Sequence, residues 1–99
     1  MMMTSYIALD LETTGLESKT EKITEAAALK VIDGTVRERF VTLINPGRPI
    51  SEKITQLTGI TDEMVRTAPL MENVIGELLA FCEGLPLLGH NILFDYRFL

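Results

Sequence analysis

The chain holds one cysteine, Cys82, so it cannot build an internal disulfide framework. It has no tryptophan and a single histidine, His90. Basic charge is also scarce: nine Lys and Arg stand against fourteen Asp and Glu, for a net charge of −5. A protein that grips a phosphate backbone with a basic surface is not indicated, although an enzyme that handles phosphate through metal ions stays open. No apolar run approaches the roughly 20 residues of a membrane span. The Met1-Met2-Met3 start carries neither a basic stretch nor a long apolar core, so no signal peptide is read and a cytoplasmic location is expected. With 99 residues the chain makes one domain at most.

What is present is ordered around Tyr6-Ile7-Ala8-Leu9-Asp10-Leu11-Glu12-Thr13-Thr14-Gly15-Leu16. As a strand it alternates: Ile7, Leu9 and Leu11 share one face, and Tyr6, Ala8, Asp10 and Glu12 share the other. Strand rise sets the two acids roughly 6.5–7 Å apart on that second face. Like charges so placed repel, and a pair of divalent metals about 3.5–4 Å apart would relieve them.

Ile23 to Ile32 and Thr35 to Ile44 flank Asp33-Gly34 and read as a β-hairpin, despite three consecutive alanines that favour helix. Those alanines keep one surface low, so that something can pack closely on it. Ser51 caps a short helix over 52–57 that Gly59 stops, and Thr61 caps a second. Met71, Val74, Ile75, Leu78, Leu79 and Cys82 recur at helical spacing, with Cys82 read as a small buried hydrophobe. Gly84 and Pro86 close that helix. Leu85 to Gly89 is a short extended run, expected parallel to the first strand. The fold class is α/β: an antiparallel three-strand meander, a helical crossover and a parallel fourth strand.

In Ile92 to Leu99 every residue except Asp95 and Arg97 is apolar or aromatic, which predicts a buried helix. A buried Asp95 needs a partner or a metal. A parallel last strand would deliver it beside Asp10 and Glu12. The alternatives are a solvated Asp10 and Glu12 at a strand end, and an exposed Asp95.

The stretch Asp10 to Leu16 resembles the first motif of the DnaQ-like (DEDD) 3′–5′ exonucleases, the proofreading group of DNA polymerase III. Gly89-His90-Asn91-Ile92-Leu93-Phe94-Asp95 resembles their second motif, and Ile54 to Met64 is similar to exonuclease regions of the PolC type. The resemblance implies a ribonuclease H-like mixed sheet and two Mg²⁺ or Mn²⁺ ions on Asp10, Glu12 and Asp95. It implies removal of nucleotides from a single-stranded or frayed 3′ end of DNA or RNA. Thr13 would contact the terminal nucleotide, Leu16 and Leu57 its sugar or base. His90 and Asn91 are further substrate-contact candidates, against capping or packing roles at a strand–helix junction. Glu25 is read as structural or solvated, with support of the site as the lesser alternative.

The family's third motif, a His or Tyr followed by an Asp, has no counterpart after Asp95. The chain is thus expected to be residues 1–99 of one incomplete exonuclease domain. It is expected to be weak or inactive by itself, since a lost general base costs roughly 10²–10⁴-fold, and prone to self-association. A competing reading is a non-catalytic module of the same fold that binds nucleic-acid ends or docks on the polymerase. A third is another nuclease or phosphotransferase of similar topology, which Glu12 disfavours.

Overall fold

Alternation decides the first strand, β1 (Tyr6–Thr13). Ile7, Leu9 and Leu11 are buried on one face, while Asp10 on the other is exposed. The computed structural model describes residues 5–15 and 21–89. Within them β2 (Ile23–Ile32) and β3 (Thr35–Leu43) follow, then α1 (Glu52–Thr58), α2 (Asp62–Val65), α3 (Met71–Cys82) and β4 (Leu87–Leu88). The strands form one sheet in the order β3-β2-β1-β4. The meander β1-β2-β3 is antiparallel and β4 joins β1 in parallel. This is the expected topology.

The Asp33-Gly34 turn is left-handed at both residues, with φ of 50° and 77°. That is the geometry that matches the twist of paired strands. The alanines of β2 lie in strand, because tertiary pairing outweighs their helical preference. Ala26 and Ala28 are fully buried, in one cluster with Val74 and Leu78 of α3. The low surface expected of the alanines is where α3 packs. Phe40 and Phe81 extend this layer, their rings 5.6 Å apart and tilted.

A second, smaller cluster of Ile50, Ile60 and Val65 gathers with Leu43 and Ile54. Leu43 pairs with Glu25 in the ladder, so this cluster builds on the face opposite α3. The caps form as expected. Ser51 Oγ accepts from the Ile54 amide at 3.2 Å and Thr61 Oγ1 from the Met64 amide at 3.2 Å. Gly59 takes the left-handed position with φ 80°, and its amide donates to the Thr55 carbonyl at 2.7 Å. Asp62 Oδ1 accepts from the Ile50 amide at 2.8 Å and ties the segment before α1 to α2.

Three local expectations change. Cys82 is half-buried rather than buried: it packs against the edge of the core at the last turn of α3, whose buried residues are Val74 and Leu78. The residue that ends α3 in the left-handed region is Glu83, one position before Gly84. The fourth strand is two residues long, not five.

Candidate active site

β1 carries Asp10 and Glu12 to the end of the sheet where it turns into Thr14 and Gly15. The register of β2 then places Ala27 opposite Asp10 and Glu25 opposite Glu12. A methyl beside Asp10 leaves that carboxylate an open approach. A cavity of about 480 Å³ lies over this face, lined by Asp10, Ala27, Leu29, Arg39, Val41 and Gly89 among others. Directly opposed side chains stand about 4.5–5.5 Å apart at Cβ, and like charges there repel. The hairpin turn sets the β2–β3 register locally, but the β1–β2 register depends on the assembled sheet, so Glu25's place was not legible.

The turn after β1 is tied down by hydrogen bonds. The Thr13 hydroxyl donates to the Gly15 carbonyl. The Thr14 hydroxyl donates to Glu21 Oε1 at 2.7 Å and accepts from the Lys22 amide at 2.9 Å. Arg48 Nη1 lies 3.4 Å from the same Glu21 oxygen. A Cβ on Gly15 would meet Glu21 Cγ at 2.7 Å, so glycine is what lets this turn close. Thr13, in phase with Ile7, Leu9 and Leu11, is buried, and a ladder irregularity falls between Glu12 and Thr13.

Beside the acids a small cleft of about 130 Å³ is lined by Leu11, Glu12, Thr13, Ile54, Leu57 and Thr58. The structure thus sets Leu57 of α1 along the same cleft as Glu12 and Thr13. Leu57 is 80% exposed, an aliphatic side chain standing free on a polar rim. Leu16, His90, Asn91 and Asp95 lie outside the described residues.

Among the described residues no group of three or more His, Cys, Asp or Glu side chains is gathered to enclose a metal ion. Asp10 and Glu12 offer oxygen donors only, on one face of one strand. Such a donor set suits hard cations, Mg²⁺ or Mn²⁺, and needs further ligands from elsewhere.

Two groups far from this end have displaced proton affinities. Lys30 is held above the usual lysine value, chiefly by its hydrogen bond to the Glu83 carboxylate; burial opposes this, and the charges of Glu38 and Glu83 add to it. Burial pushes the Cys82 thiol up, against the Lys30 charge. No described helix is long and apolar enough to cross a membrane.

The exonuclease family model RNase_T matches residues 7–99. DNA polymerase III PolC-type of Thermotoga petrophila is 42% identical over 95 residues, covering 96% of this chain and 7% of that protein. The PolC-type polymerase of Lacticaseibacillus paracasei is 43% identical over 94 residues, 95% of this chain and 6% of that protein. This chain therefore spans well under a tenth of the length of these relatives. Among solved structures, exonuclease X in complex with 5′ overhanging duplex DNA superposes with a TM-score of 0.78 at 34% identity, over 94% of this chain and 52% of that one. E. coli exonuclease I in complex with a 5cy-dA13 oligonucleotide gives a TM-score of 0.82 at 19% identity, over 97% of this chain and 23% of that one, and shows the shared fold. The mixed sheet is the ribonuclease H-like sheet of these exonucleases, and the chain belongs to the exonuclease family.

Proposed function

We propose that this chain supplies the metal-binding strand and nucleotide cleft of a 3′–5′ exonuclease that shortens DNA from its 3′ end, in the setting of a replicative polymerase. The observation that carries the reading is the open face of β1. Asp10 and Glu12 share it, and Leu57 stands beside Glu12 and Thr13 across a cleft that fits a ring or sugar edge. The DNA substrate is supported by the likeness to exonuclease X, whose structure is a complex with 5′ overhanging duplex DNA. The polymerase setting is supported by the PolC-type relatives.

Asp10 and Glu12 would hold two divalent ions together with Asp95. When bound, such ions supply an activated water and charge neutralisation for the phosphate oxygens. The remaining work falls to the chain. Ala27 opposite Asp10 keeps the approach to that carboxylate open. The Thr14-Glu21-Arg48 network holds the turn after Glu12 at one height. Leu57 takes the terminal nucleotide on its apolar side and sets its distance from the acids.

The test is digestion of a 5′-labelled DNA oligonucleotide with Mn²⁺ by the protein that carries this segment. A ladder shortening from the 3′ end, abolished by Glu12→Gln, is the expected result. Mn²⁺ binding and DNA-end binding without any ladder would favour the non-catalytic docking module instead.

A further inference from the structure

β4 is the shortest strand and the least secured. Two residue pairs hold it to β1, Ile7 with Leu87 and Ala8 with Leu88. The Ile7 amide adds one hydrogen bond to the Pro86 carbonyl at 2.8 Å. A ladder this brief does little to specify its own register, and a slip of two residues would move the chain roughly 6.6 Å along β1. Yet this register matters at the acid end. Gly89 lines the same cavity as Asp10, and Asp95 follows six residues later in the sequence.

An anchor lies at the opposite end of the sheet. Glu83 ends α3 with φ 50° and ψ 31°, a left-handed conformation that glycine or asparagine normally takes. Strained residues persist where their surroundings hold them. Here Lys30 Nζ donates to Glu83 Oε2 at 2.6 Å. Lys30 is only 6% exposed, although it is a lysine on an inward-facing strand position. Its ammonium lies 4.7 Å from the centre of the Phe81 ring and 3.7 Å from Glu38 Oε1. One ammonium thus joins β2, β3 and the end of α3. The next turn is short: the Leu85 amide donates to the Cys82 carbonyl at 2.9 Å, and Pro86 already bonds to Ile7.

We propose that the Lys30–Glu83 pair is a remote positioning device, which fixes the register of β4 against β1 and so the level at which β4 delivers Gly89 to the cavity beside Asp10. The inference rests on the metal-site reading above. Lys30 and Glu83 touch neither metal nor substrate.

Glu83→Gly separates this role from simple helix capping. The substitution relieves the left-handed backbone, so a capping role alone predicts unchanged or higher thermal stability and unchanged Mn²⁺ affinity. The positioning role predicts faster amide exchange at Ile7 and Mn²⁺ affinity weaker by about tenfold or more, the scale on which outer partners of metal ligands act. Lys30→Met, which keeps an aliphatic stem on Phe81, should do the same. Calorimetry of Mn²⁺ binding to the full chain and to both variants is the measurement. If both variants bind Mn²⁺ as the unsubstituted chain does, the positioning role is overturned and the metal site stands. If the unsubstituted chain fails to bind Mn²⁺, or binding survives Asp10→Ala, the metal site and the positioning role both fall.

Discussion

The two faces of β1 divide the labour of the molecule. Ile7, Leu9 and Leu11 lie under α3 with Ala26, Ala28, Val74 and Leu78, and their burial stabilises the sheet. Ala8, Asp10 and Glu12, one residue out of phase, lie on the face with Glu25, Ala27 and Arg39. The covered face is largely apolar, with Thr24 and Lys30 among its buried polar groups. The open face holds acids, Arg39 and small residues that leave room. Alternation lets one strand carry both demands without compromise, because a substitution on one face leaves the other's contacts intact.

That separation can be broken in graded ways. Leu78→Ala, in the covered layer, should cost about 2–5 kcal/mol of stability by urea unfolding, as large-to-small core changes do. Loss of that size would threaten a domain of this length. Thr24→Val should act in the other direction. Thr24 is 1% exposed and its hydroxyl has no hydrogen-bond partner among the described residues. Removing a buried unsatisfied hydroxyl should raise stability by about 1 kcal/mol. Glu25→Gln, on the open face, should raise stability of the metal-free protein by a few tenths of a kcal/mol, roughly the scale of one cross-strand pair. A fall on Glu25→Gln would show that the Glu12–Glu25 pairing stabilises the sheet, and would contradict the view of this face as electrostatically loaded.

The smallest effect concerns pH. Lys30 is held above its usual value by Glu83 first, with Glu38 and the ring of Phe81 also against it and the Cys82 thiol nearby. A raised value means that the pair stabilises fully below the lysine value of the unfolded chain. That contribution drains away as pH rises through the higher folded value. Cys82, also raised, acts in the same direction. The urea midpoint should therefore fall more steeply above about pH 10.5 in the unsubstituted chain than in Lys30→Met.

Much of the fold was legible because local signals agreed with one another. Alternation placed Ile7, Leu9 and Leu11 inside, Asp33-Gly34 named its hairpin, and Ser51, Gly59 and Thr61 marked helix ends by their own hydrogen bonds. That Leu57 lines one cleft with Glu12 and Thr13 was not legible from periodicity, since α1 reaches β1 through tertiary packing. What was not legible depends on long-range register. Glu25 faces Glu12 only once β2 has docked on β1. Lys30 continues the inward positions of Ala26 and Ala28, and nothing in its neighbours announces a buried ammonium. Glu83 enters the left-handed region together with Gly84, and its carboxylate meets Lys30 from 53 residues earlier in the chain.

The central claim is that the acids of the open face hold a divalent cation while the covered face holds the fold. Its most direct test is Mn²⁺ calorimetry on the unsubstituted chain and on Asp10→Ala, with urea unfolding of the same metal-free samples. The expected result is loss of Mn²⁺ binding with an unfolding midpoint that is unchanged or slightly raised. Binding that survives Asp10→Ala at undiminished affinity would contradict it.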